Sequence, residues 1–380
     1  RAGACPSLPV GSTSGSALPE PPNHRAERGR AMSRRELRAA AVLLAASIAA
    51  SRVLGFLREV IIAYVLGAGA ETDAYLAAFV VPDLINHFLA GGALSTALLP
   101  LYLRQAEADS GRAWRLVSQT ITVSCAVLSV ALVAAWFATP ALVAKWYPGF
   151  DPEQVALTTR LTRIILPGPL LFTVGALLNA TEQARRRFWA TALMPLIYNA
   201  CIIVAGLVLG PTLGVDAFAW GVLAGALLGP FAVPWIATRD IARVRPWLDP
   251  SDADLRRFVV LALPVMFSSS LLFFDEWFGR RFASALDEGT ITWLNNARRL
   301  VLLPASMVGQ AAGQALFPFV AAMIVESRRD ELQHTMASIV RATAALGVVA
   351  AFALASLAVP LVGAIFVRGA YTPADAAITA

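Results

Sequence analysis

Three charged side chains, Arg52, Arg58 and Glu59, stand in the stretch SRVLGFLREV, inside an apolar run from about Leu37 to Leu66. Arginine in such a place has a definite chemistry. A guanidinium stays protonated at physiological pH and presents a planar fork of donors that fits phosphate oxygens. A charge at the centre of a bilayer costs at least about 2.5 to 3.5 kcal/mol on insertion scales, so it faces a watery cavity or a partner. Two arginines therefore point either to an anionic ligand, for which a diphosphate is a good fit, or to carboxylates on neighbouring helices. Six residues of helix amount to about 9 Å of rise and leave Arg52 and Arg58 roughly 120° apart, so they need not touch one group. Glu59 shares a face with Arg52 but lies about 10 Å along the axis, too far for a direct pair. Gly55, between the arginines, can kink the helix or admit another backbone.

The elements that position these charges are membrane spans. Hydrophobic residues make up 57% of the 380-residue chain and charged residues 15%, with a mean hydropathy of +0.64, far from the roughly 25% charged content of soluble domains. About 20 apolar residues cross the hydrocarbon core. Nine runs qualify, near 37–67, 73–101, 116–138, 154–180, 188–209, 215–237, 256–285, 290–324 and 338–367. The fold class is therefore all-α, a polytopic bundle. Arginines mark alternate connections: Arg34, Arg35 and Arg38 before the first span, Arg104, Arg112 and Arg115 after the second, Arg185 to Arg187 after the fourth, Arg239 to Arg257 after the sixth, and Arg328, Arg329 and Arg341 after the eighth. The intervening loops contribute Lys145 and Arg368. Positive loops stay in the cytoplasm, which predicts a cytoplasmic N terminus. The same arginines account for much of the net charge of +6, so membrane lipid headgroups, and not nucleic acid, are their expected partners.

An internal repeat organises the spans. ALLPLY at 97–102 matches ALFPFV at 315–320, and the same offset of 218 residues lays TDAYLAAF (72–79) over TITWLNNA (290–297). Six spans separate the copies, and an even number makes the halves parallel, related by an axis along the membrane normal. The second span is expected to break near Pro82 or Gly91 and Gly92. The expected organisation is a disordered tail over 1–35, a first lobe of six helices over 36–245, and the start of a second lobe over 246–380 with helices seven to nine and the opening of a tenth. Met32 offers a natural start within the tail, and YTPADAAITA looks like a helix cut short, so the chain is expected to be a fragment.

Other constellations are few. LLFFDEWFGRRFAS (271–284) holds Asp275, Glu276, Arg280 and Arg281 as two opposite pairs, with Glu276 and Arg280 in the favourable i,i+4 relation. Asp73 reads as an N-cap of the second span. Cys5, Cys125 and Cys201 show no metal or disulfide spacing, and His24, His87 and His334 are scattered. Neither a DDxxD cluster nor a histidine constellation is present, so no catalytic residue, metal site or enzymatic activity is expected.

The stretch SRVLGFLREVIIAYVLGAGAETDAYLAAFVVPDL resembles the opening of the MviN/MurJ-type lipid II flippases, within the multidrug/oligosaccharidyl-lipid/polysaccharide exporter superfamily. The likeness continues in GALLNATEQARRRFWATALMPLIYNACII (175–203), NNARRLVLLPASMVGQAAGQALFP (295–318) and FVRGAYTPADAAIT (366–379). The resemblance implies fourteen helices in two lobes and a location in the bacterial cytoplasmic membrane. It also implies transport of an undecaprenyl-diphosphate-linked peptidoglycan precursor from the inner to the outer leaflet, in the service of cell-wall synthesis and cell shape. Arg52 and Arg58, with Ser51 beside them, match the cavity arginines of the family's first helix. Arg299, preceded by Arg298, matches that of the eighth. Where the family's second helix carries an Arg-Arg pair, this chain has Asn86 and His87, so one phosphate ligand is missing and Asn86 remains as an uncharged donor. Arg280 or Arg281 can supply the absent cation, and Asp275, with Glu276, can bind a coupling cation, the alternative being drive by the membrane potential. No other cofactor is implied. A flippase for another polyprenyl-diphosphate-linked glycan is the runner-up, followed by a multidrug/cation antiporter of the same superfamily.

Overall fold

A computed structural model describes residues 34–90, 93–241, 244–247, 249, 251–302 and 329–380. The expected tail lies outside them, apart from 34 and 35, which are part of the first helix. So do Gly91, Gly92 and the ALFPFV half of the repeat match. By internal contacts the chain divides into Arg1–Val42 and Leu43–Ala380. In the first unit, 34–42 are described, as helix; the second holds all the rest.

The described residues are helical and contain no strand. The first span is α1 (Arg34–Leu66). The second is broken into α2 (Ala70–Ala77), α3 (Val80–Ile85), a π-helical segment Asn86–Ala90, and α4 (Ala93–Ala108). Then come α5 (Ser110–Trp146), α6 (Pro152–Ile165), α7 (Gly168–Ala184), α8 (Trp189–Leu213), α9 (Val215–Ala226), a π-helical segment Leu227–Phe231 and α10 (Ala232–Thr238). The second half supplies α11 (Ala253–Ala283), α12 (from 290, described to 302), α13 (Arg329–Phe366) and α14 (Pro373–Thr379). Every predicted span coincides with a helix or a chain of helices, the eighth as far as it is described.

The repeat is visible in the helix starts. α12 begins 220 residues after α2 and α14 221 after α6. Even the caps correspond. Asp151 accepts from the Gln154 amide at 2.7 Å to open α6, and Thr372 accepts from the Asp375 amide at 3.2 Å to open α14. Each is a capping box followed by proline at the first helical position, where the missing N–H is no loss.

Two clusters of buried side chains separate the ends of the bundle. At one end Leu98, Tyr102, Trp114, Leu178, Leu255 and Phe258 bring together the α4–α5, α7–α8 and α10–α11 connections, the arginine-rich ones. At the other, Tyr147, Leu161, Val215, Phe218, Ala283 and Ile291 gather the α5–α6, α8–α9 and α11–α12 connections. The alternation of charge along the sequence is thus a separation in space. Five of the described helical stretches are long and apolar enough to cross a membrane, and α5, α8 and α13 turn Val130, Phe137, Val208, Val349 and Phe352 outward as lipid-facing flanks.

The break in the second span has a local cause. Pro82 cannot donate to the carbonyl four residues earlier, that of Ala78. The Thr162 hydroxyl donates to it instead, at 3.1 Å, from α6. Small residues let the other helices close in. A Cβ at Gly175 of α7 would fall 1.7 Å from the Pro230 carbonyl oxygen, in the second π-helical segment. Gly175→Ala is therefore expected to lower stability by about 1 to 3 kcal/mol through overpacking, read as a lower melting temperature in detergent. An unchanged melting curve would mean that the α9–α10 kink yields freely.

Candidate functional site

The charges of α1 meet those of α12 in a seam whose centre, Glu59, is 4% exposed. Arg58 places Nη2 2.6 Å from Glu59 Oε1 and donates from Nη1 to Asn199 Oδ1 of α8 at 3.1 Å. The Asn199 amide is itself oriented by donating to the Pro195 carbonyl at 2.9 Å. From α12, Arg299 Nη2 lies 3.6 Å from Glu59 Oε1, and Asn295 donates to Oε2 at 3.3 Å. Two guanidinium groups share one carboxylate, so the seam carries one net positive charge.

The sequence places Arg58 and Arg299 among the candidate ligands, and the structure brings them together. What it misses is the carboxylate that joins them. Neighbours on a helix point about 100° apart, and only the long arms of Arg58 and Glu59 let them meet. The available signal was a lone carboxylate in an apolar run; Asn199 and Asn295 gave none. Ser51 and Arg52 are half-buried on the same helix, about 9 Å nearer the arginine-rich end than Arg58. α1 runs on through Gly55, whose neighbour is the Asn199 side chain and not a backbone.

A second group of charges lines a cavity of about 260 Å³ between α3, α11 and α12. Asp83 and His87 enter from the second span, Asp275, Glu276 and Arg280 from α11, and Arg298 from α12. Glu276 and Arg280 form the expected i,i+4 pair. Asp275 instead bonds across to Arg298 Nη2 at 2.8 Å, so two sequence candidates of different helices are joined. Arg280 and Arg281 part company. Arg280 faces the cavity, whereas Arg281 donates to the carbonyls of Lys145 and Trp146 at 2.8 and 3.1 Å, at the C-terminus of α5 where a cation is favoured. Asn86 is half-buried in the π-helical segment beside His87, whose Nδ1 lies 2.8 Å from the Asp83 carbonyl. Among the described residues no group of three His, Cys, Asp or Glu is arranged to hold a metal ion.

Both ends of the seam are bridged. Asp73 lies inside α2 and does not cap it; the residue preceding the helix is Gly69. Its carboxylate caps α12 instead, accepting from the Gly289 and Thr292 amides at 2.8 Å each and from the Thr292 hydroxyl at 2.6 Å. The matched segments TDAY and TITW thus lie against each other. At the same end the Ala370 amide donates to the Tyr64 carbonyl at 2.9 Å and Trp293 Nε1 to Asp375 at 3.1 Å. Gly369, at φ 62°, makes that close approach possible, since a Cβ there would meet the Tyr64 carbonyl at 2.2 Å. At the arginine-rich end Gln105 Nε2 donates to Asp254 at 2.5 Å, joining α4 to α11.

The family model for the lipid II flippase MurJ matches residues 62–380. The chain belongs to that family. Among curated relatives, a "Probable lipid II flippase MurJ" of Rhizobium meliloti (strain 1021) is 31% identical over 339 residues, covering 85% of this chain and 62% of the relative. A second, from Vibrio cholerae serotype O1, is 28% identical over 350 residues, covering 88% and 66%. The chain thus spans somewhat under two thirds of the length of these MurJ relatives. Among solved structures, a lipid II flippase MurJ in an inward closed conformation superposes with a TM-score of 0.74 at 22% identity, covering 89% of this chain and 70% of that one. An inward-facing multidrug resistance MATE family transporter of the MOP superfamily gives 0.65 at 15% identity, covering 87% and 75%. Both likenesses bear on the fold, which is that of a helical transporter.

Proposed function

We propose that the chain moves lipid II, the undecaprenyl-diphosphate-linked peptidoglycan precursor, from the inner to the outer leaflet of the bacterial cytoplasmic membrane. It does so by alternating access and without catalysis. The observation that carries the reading is the seam in which Arg58 and Arg299 share Glu59 with one positive charge in excess. A diphosphate entering there is drawn by that excess and by the forked donors of both arginines, with Arg52, Ser51 and Asn86 along its path. Arg298 borders the neighbouring cavity, where Asp275 and Glu276 are the candidate site of a coupling cation. The membrane potential is the alternative drive. The polyprenyl tail stays in the bilayer while the lobes, 36–245 and 246–380, rock about the seam. The N terminus and the arginine-rich end face the cytoplasm.

The gene that encodes this chain should complement a conditional lipid II flippase mutant. In reconstituted vesicles at matched protein levels, Arg52→Ala and Arg58→Ala should each slow flipping by more than about tenfold, since charged hydrogen bonds contribute about 1.5 to 3 kcal/mol each. Arg→Lys should retain part of the rate, because a point charge loses the fork. Membrane insertion without complementation would transfer the assignment to another polyprenyl-diphosphate-linked glycan. Undiminished flipping by both alanine variants would make the arginines purely structural.

A further inference from the structure

On another flank of the bundle, α5, α6 and α9 enclose a groove of about 800 Å³. Its walls are largely apolar, with Pro140, Val155, Ile164 and Leu223, and two arginines stand among them, Arg160 and Arg163. Two of its lining side chains are themselves open to the surroundings: Trp136 is 42% exposed and Trp220 50%. These belong to helices long and apolar enough to span a membrane, so the groove opens towards hydrocarbon. In a bilayer an apolar slot of this kind is filled by acyl chain, because water there would find few polar partners.

The arginines decide which lipid. Arg160 is matched by Asp216 of α9 at 3.0 Å. Arg163 is held without being neutralised. Its Nε and Nη2 donate to the Trp136 carbonyl at 3.3 and 3.2 Å, and its guanidinium carbon stands 5.2 Å from the Trp136 ring centre. A carbonyl and a ring face orient a guanidinium while leaving its charge available. Among the described residues that line the groove none is a carboxylate. Trp136 and Trp220 mark the depth, since indoles favour the boundary between hydrocarbon and headgroups. A fixed cation at that boundary, above an apolar slot, is complementary to a phosphodiester on a diacyl lipid. A zwitterionic headgroup offers the same phosphate but brings its own cation towards Arg160 and Arg163.

We infer that this groove binds an anionic phospholipid, with its phosphate on Arg163 and an acyl chain along Ile164, Pro167 and Leu223, in the leaflet at the Lys145 end of the bundle. The site is separate from the α1–α12 seam and does not depend on the cargo assigned there. The test is native mass spectrometry of the full chain, offered phosphatidylglycerol and phosphatidylcholine with identical acyl chains. The unaltered protein should retain one phosphatidylglycerol with about tenfold preference, the worth of one charged hydrogen bond. Arg163→Gln should bring the preference close to parity and Arg163→Lys should keep most of it. Val155→Trp, which fills the groove and leaves the charges in place, should lose the bound lipid, whereas Arg239→Gln, at the arginine-rich end, should change nothing. An undiminished preference in Arg163→Gln or in Val155→Trp would overturn the proposal. So would displacement of the lipid by one equivalent of undecaprenyl diphosphate, which would put the groove on the cargo route.

Discussion

Glu59→Ala is expected to destabilise the bundle by about 3 to 5 kcal/mol, because it strips a buried guanidinium of its anion. Arg58 bears most of the loss, its side chain being 19% exposed against 43% for Arg299. Glu59→Gln keeps the volume and an acceptor for Asn295, so its effect should fall between alanine and the unaltered protein. The charge left behind gives a second readout. Inorganic diphosphate should raise the melting temperature of Glu59→Gln more than that of the unaltered protein, since a ligand that binds the folded state stabilises it in proportion to its affinity. Equal melting curves for Glu59→Ala and the unaltered chain would show that water already solvates both arginines. Absence of a diphosphate effect would remove the anion site from the seam.

Asp73→Ala should open the opposite end of the seam. It deletes three hydrogen bonds to one buried carboxylate, each worth about 1.5 to 3 kcal/mol, and an anion at the positive end of α12. Because those bonds join α2 to α12 and exist only while that end is shut, their loss shifts the balance towards the open form by at least about tenfold. Spin labels at the exposed positions Glu71 and Glu288 should report a longer and broader distance in Asp73→Ala. Asp73→Asn, which keeps one acceptor, should be intermediate. Distances identical to those of the unaltered chain would assign closure to the contacts around Tyr64, Trp293 and Asp375.

The sequence made the architecture legible because membrane burial imposes one-dimensional rules: length of apolar run, alternation of arginine, and spacing of the repeat. Arg58 and Arg299 were legible for the same reason, as charges that a bilayer does not tolerate without purpose. Their shared partner was not. Glu59 is out of Arg52's reach along the helix, yet side-chain reach couples it to its immediate neighbour and to a residue 240 positions away. Asp73 illustrates the same limit. A carboxylate near a helix start suggests a local cap, and nothing in one dimension tells that the amides it serves are 216 and 219 residues on. The different fates of Arg280 and Arg281 follow from helical rotation, which turns adjacent residues towards a cavity and towards the end of α5.

The Thr162 bond to Ala78 bears on how the second span exchanges its amide hydrogens. A continuous transmembrane helix protects its interior amides as one cooperative block. Here the ladder is already cut at Ala78, and the freed carbonyl is held by a single hydroxyl from another helix. Opening at that point breaks a side-chain bond where a helical backbone bond would otherwise stand, so α2 and α3 should behave as separate exchange units. Deuterium should enter the amides flanking Phe79 well before those of α8, and Thr162→Val should hasten it further. The fast-exchanging junction would then sit on the span whose beginning caps α12.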